Sequence, residues 1–159
     1  MAIASAALAI GLVATILAVP AQERPTAAVK DVIVARKTLM NSIMDNVDKI
    51  TEMISQRKID LHAAHGHAEN ISAMLTAFPH LFPPSSNLWR DNADLDPVTD
   101  TIASPDVWTD FADFYRRAVA AANTASELGR ADNADDLRRL FRALGVACDT
   151  CHALYLKEQ

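Results

Sequence analysis

Near the end of the chain stands Cys148-Asp149-Thr150-Cys151-His152. Two thiols and an imidazole are the residue types that bind metals or form covalent links. Their spacing matters more than their presence. On a helix, positions i, i+3 and i+4 share one face, so the three side chains point the same way. This is the pattern of c-type haem attachment. The thiols of Cys148 and Cys151 can add to the two vinyl groups of a haem, which would place His152 beneath the iron as the proximal ligand. Two other uses of Cys-x-x-Cys compete, a redox disulfide and half of a zinc site. The chain has only two Cys, so no second pair exists to complete a four-thiolate zinc site. A thioredoxin-like motif calls for a βαβ setting, which the sequence does not offer.

If a haem is held there, its sixth ligand decides what it does. Met40, Met44, Met53 and Met74 are candidates from facing helices, although a Met at seam spacing also serves as core filler. His80 is a rival in a loop. His62 and His65, at i and i+3, share a face and could hold an exposed metal, whereas His67 points elsewhere. Trp89 and Trp108 read as packing residues. Asp91, Asp94, Asp96 and Asp100 read as a solvated loop that could also steer a basic partner.

The elements that must position these groups are helical. Val29, Ile33, Arg36, Met40, Ile43, Val47, Ile50 and Ile54 recur at steps of four and three, which predicts a helix from about 27 to 57 with a bundle seam. Leu61, Ala64, Ala68, Ile71, Leu75 and Phe78 predict a second from about 60 to 77, ended by Pro79. Residues 79–104 hold four Pro and read as a long crossover loop. Ser104-Pro105 starts a third helix, with Val107, Trp108, Phe111, Tyr115, Ala118 and Ala122 inward and Gly129 as its stop. Asn133 or Asp132 caps a fourth, whose inner face runs from Leu137 through Leu144 to Cys148, Cys151, His152 and Tyr155.

Composition agrees with an all-α class. Of 159 residues half are apolar, only four are Gly and 6% are aromatic, which argues against a turn-rich β fold. The net charge is −5, with no long Lys/Arg run to read as a nucleic-acid patch. Two Cys cannot build a disulfide scaffold. There is no Ser/His/Asp set, nucleotide loop or pair of acid/base carboxylates, so an enzyme is not expected. Met1 to Ala21 is apolar and uncharged in its side chains. It reads as a signal peptide cut after Ala21, or as an uncleaved N-terminal membrane anchor. Either places the domain of residues 22–159 in the periplasm, outside the cytoplasm.

Several segments, in order, resemble the class II cytochromes c, the cytochrome c-prime family. They are Leu81-Phe82-Pro83, Trp108-Thr109-Asp110-Phe111, and Ala147 to Tyr155 around the Cys-x-x-Cys-His motif. The resemblance covers nearly all of residues 22–159. It implies an antiparallel up-down four-helix bundle with one covalent haem c, and a homodimer packed through the first two helices. In that family an Arg on the first helix precedes the distal side chain by four residues. Arg36 matches the Arg and Met40 the distal position, which implies a six-coordinate, low-spin Met40/His152 haem with Arg36 near a propionate. One departure stands out. The family's basic residue four after the haem His is here Leu156, which weakens the case for nitric oxide at the proximal face.

The expected function is one-electron transfer to redox partner proteins through a haem with no open coordination site. The alternatives are a five-coordinate, cytochrome c-prime-like protein binding nitric oxide or carbon monoxide, and a non-haem metal-binding protein using the His cluster.

Overall fold

The structure, a computed structural model, describes residues 26–91 and 94–157. The apolar leader Met1 to Ala21 lies outside them. The elements are α1 (Thr26–Ser55), α2 (Leu61–Ala77), two 3-10 turns (Phe78–Leu81 and Pro84–Ser86), α3 (Asp106–Thr109), α4 (Phe111–Leu128) and α5 (Ala134–Tyr155). The four long helices form a bundle.

Local chemistry sets the boundaries. The Asp60 carboxylate accepts from the Ala63 N–H at 3.1 Å and starts α2. Asn133, rather than Asp132, caps α5, with its side-chain oxygen 3.0 Å from the N–H groups of both Asp135 and Asp136. α1 stops two residues earlier than its apolar spacing predicts. Arg57 turns to φ 55°, and the Lys58 N–H donates to the Met53 carbonyl at 3.0 Å. That is a Schellman-type end made without glycine. Gly129 does end α4, but at φ −65°, so not by left-handed backbone. A Cβ there would stand 3.3 Å from Glu69 Cγ, so glycine lets the α4 end lie close against α2.

The predicted third helix is two helices. The N-cap of α3 is Pro105 rather than the expected Ser104, whose hydroxyl, one residue earlier, accepts from the Asp106 N–H at 3.2 Å. At Asp110 (φ −128°, ψ 55°) the helix breaks, and the Asp110 carboxylate accepts from the Asp113 N–H at 3.2 Å to begin α4. The break shifts the phase. Phe114, Ala118, Ala121 and Ala125 face inward, whereas Phe111 and Tyr115, expected on the inner stripe, are exposed.

α1 packs on α2, α2 on α4, and α4 on α5. Ala64 and Ala68 meet Ala121, Ala122 and Ala125 in the core, and these small side chains let α2 and α4 approach closely. Ile43, Ile50, Ile71, Leu128, Leu137 and Leu144 are at most 1% exposed and fill the rest. The ring of helices does not close between α1 and α5, and a cleft opens there.

The segment between α2 and α3 is tied down along its length. The Trp108 Nε1–H donates to the carbonyls of Phe82 and Pro83, each at 3.2 Å. The Lys37 ammonium donates to the carbonyls of Pro97 (2.6 Å) and Asp100 (2.8 Å). The Ser104 N–H reaches the Tyr155 carbonyl at 2.8 Å, beside a single bridge between Ala103 and Leu156. The loop therefore joins α1 to the end of α5.

Candidate functional site

Cys148, Cys151 and His152 project from one face of α5, half-buried, into the cleft of about 440 Å³ between α1 and α5. That volume lies in the usual range for ligand sites. α1 contributes Met40 and Met44 from the opposite wall, and Phe78, Phe82 and Phe114 line the cleft in between. Met40 is half-buried and packs against the core, whereas Met44 is 43% exposed. Met53 and Met74 pack against the core and do not line the cleft.

The charges are one-sided. Arg36, Lys37 and Arg117 line the cleft, and among the described residues no Asp or Glu does. Arg36 is 4% exposed. Its guanidinium donates to the Ser86 hydroxyl at 3.1 Å and to the Thr101 hydroxyl, and it lies 4.5 Å over the Phe82 ring. Among the described residues no carboxylate forms an ion pair with it, and burial pulls its pKa down to about 10. An uncompensated buried cation is costly unless an anion joins it.

On the other side, Tyr155 donates its O–H to Asp113 at 2.6 Å, and Asp113 also takes Arg116 and Arg117. These bonds hold the Asp113 carboxyl below its ordinary pKa. Tyr155 is pushed up to about 12, by desolvation first and then by its bond to Asp113.

Both thiols are free, and burial raises their pKa values, Cys151 to about 11. Redox-active dithiols need the opposite, a stabilised thiolate. Two of the three histidines of α2 are used structurally. His65 Nε2 lies 3.0 Å from the Ala131 carbonyl, and His67 Nδ1 lies 2.9 Å from Asn46 Oδ1, on the α1 side. His62 is exposed, and among the described residues no group of three or more His, Cys, Asp or Glu is arranged to hold a metal. His80 is exposed against Tyr115, ring centroids 5.9 Å apart, and does not line the cleft.

The sequence reading missed the loop hydroxyls of Ser86 and Thr101, because irregular backbone has no period to read. It also missed Asp113 and Arg117, although their i, i+4 spacing was a usable signal.

Comparison with known proteins adds the family. A family model described as Cytochrome C' matches residues 31–155. Cytochrome c-554 of Cereibacter sphaeroides is 26% identical over 151 residues, 92% of this chain and 94% of that protein. Cytochrome c-556 of Agrobacterium tumefaciens is 28% identical over 102 residues, 63% of this chain and 75% of that protein. Among solved structures, cytochrome c prime from Shewanella frigidimarina superposes with a TM-score of 0.69 at 23% identity, over 82% of this chain and 97% of that one, a likeness of fold. The family match spans α1 to α5 and includes the whole Cys-x-x-Cys-His motif: this chain belongs to the cytochrome c′ family, whose cofactor is covalently attached haem c.

Proposed function

We propose that the chain is an exported, periplasmic cytochrome c′-like haem protein and not an enzyme. The observation that carries this reading is the cleft. One face of α5 offers two thiols and an imidazole to an apolar space whose lining, among the described residues, holds three cations and no carboxylate. Such a lining fits a flat apolar macrocycle that carries carboxylates. Cys148 and Cys151 would hold the haem by thioethers, His152 would be its proximal ligand, and Arg36 would pair with a propionate. The haem supplies one-electron exchange between its ferric and ferrous states. The protein would hold it in place, with Phe78, Phe82 and Phe114 among the apolar residues lining the cleft. Among the described residues no helix is long and apolar enough to cross a membrane.

Two readings of the distal side follow, each with its own support. The first is a site for a small diatomic gas, nitric oxide or carbon monoxide. It draws on the family's description as cytochrome c′ and on a relative, a mutant of cytochrome c prime from Alcaligenes xylosoxidans, solved as a nitric oxide complex. The comparisons favour this reading over the expected six-coordinate electron carrier. The second is that electron carrier, with Met40 as the distal ligand. It draws on Met40 lining the cleft one turn beyond Arg36. Redox partner proteins would then meet the haem edge at the cleft mouth. One cytochrome c′ relative shows ligand-controlled dimer dissociation, and a homodimer of this chain would pack through α1 and α2.

Optical spectra of the haem-loaded protein, ferric and ferrous, test both. A ferrous spectrum altered by carbon monoxide supports the gas reading. A spectrum indifferent to carbon monoxide in the wild type, but responsive in Met40→Ala, supports Met40 ligation. A protein that takes up no haem refutes the proposal.

A further inference from the structure

Arg117 stands apart from the other two cations of the cleft. Arg36 and Lys37 come from α1 and bind loop oxygens. Arg117 comes from α4, on the side that carries Cys151, His152 and Tyr155. Arg117 and Tyr155 also line a second, shallow depression on the outer surface, together with Asp106, Asp110 and Asp113. Among the described residues the two side chains therefore stand between an apolar cleft without carboxylates and an outer hollow with three. Asp113 lines only the outer hollow, where it binds both Arg117 and the Tyr155 hydroxyl. The cation lines both spaces, whereas its anion lines only the outer one.

We infer that Arg117, positioned by Asp113 and Tyr155, sets the balance between the ferric and ferrous states of the protein. This inference rests on the proposed haem reading. A positive charge at the cleft wall favours the state carrying one more electron, and an apolar cleft weakens its screening. Asp113, its ion-pair partner, does not line the cleft; it opposes the cation while holding the guanidinium in place. With a side chain 37% exposed, Arg117 is partly screened, so the effect is severalfold rather than many orders. Asp113 acts through Arg117 and is a positioning residue.

The test is the midpoint potential of the haem-loaded protein, measured by spectroelectrochemical titration, in three variants. Arg117→Gln is expected to move the equilibrium severalfold toward ferric, where tenfold corresponds to about 59 mV for one electron. Arg117→Lys keeps the charge and is expected to stay near wild type. Asp113→Asn keeps an acceptor for Tyr155 but removes the opposing charge, and is expected to move the equilibrium toward ferrous. A purely structural role would lower the melting temperature without opposite shifts in potential. Covalent haem with an unchanged potential in Arg117→Gln, or shifts of the same sign in Arg117→Gln and Asp113→Asn, overturns this inference alone. Absence of covalent haem overturns the proposed function, and this inference with it.

Discussion

The Arg36 guanidinium lies 4.5 Å over the ring of Phe82, buried at the wall of the cleft and without a carboxylate partner among the described residues. A charge in that position destabilises a protein unless something anionic accompanies it. Arg36→Met is therefore expected to have opposite consequences in two states. In the haem-free chain it leaves stability unchanged or raises it. In the haem-loaded protein it removes a charge-assisted contact and costs about 1–3 kcal/mol. Denaturant unfolding of both forms checks this. Equal destabilisation of both would mean that Arg36 is a packing residue only.

The pair Asp113 and Tyr155 predicts a pH response at both extremes. The carboxyl of Asp113 is depressed, so its contribution is present above the ordinary carboxylate pKa and is lost as pH falls through the folded value. Tyr155 is raised to about 12, so its contribution is complete below pH ~10 and lost as pH climbs toward 12. Melting temperatures across pH should fall less steeply at both ends in Asp113→Asn than in the wild type. Parallel curves would contradict this.

Arg57 holds φ 55° at the end of α1, a conformation that costs a residue with a Cβ about 1–2 kcal/mol. Arg57→Gly relieves it and pays back part in unfolded-state entropy. A net gain of about 0.5–1 kcal/mol is expected in chemical unfolding. A loss would show that the Arg57 side chain contributes more than its backbone costs.

Trp108 ties the two ends of the crossover segment, donating to the carbonyls of Phe82 and Pro83. Trp108→Phe keeps most of the ring and strands the Phe82 carbonyl, whereas the Pro83 carbonyl still accepts from Ser86. It should cost about 1–3 kcal/mol and loosen the loop, seen as faster amide exchange at Ser86 and Asn87, whose N–H groups bond the carbonyls of Pro83 and Pro84.

Much of this was legible in the sequence because the information is local. The seam of α1, the stripe of α2 and the inner face of α5 follow from spacing alone, and every residue read onto those stripes is buried or half-buried. The Cys-x-x-Cys-His spacing needs only a helix to bring its three groups to one side, and α5 supplies it. The Phe-Pro and Trp segments, separate in sequence, form one hydrogen-bonded unit through the Trp108 indole. The break at Asp110 was not legible, because apolar residues continue on both sides and a cap looks like any exposed Asp. Phe111 and Tyr115 were misplaced for that reason. The contacts of Ser86, Thr101 and Lys37 depend on where an irregular loop folds back, which no period records.

The most direct test of the account is the intact mass of the protein, produced with residues 1–21 included in a host that exports and attaches haem, then denatured before measurement. The account predicts the mass of one haem added to the chain, retained after denaturation and lost when Cys148 and Cys151 are both changed to Ser. An unmodified chain with two titratable thiols, from a host that loads a control c-type cytochrome, would contradict it.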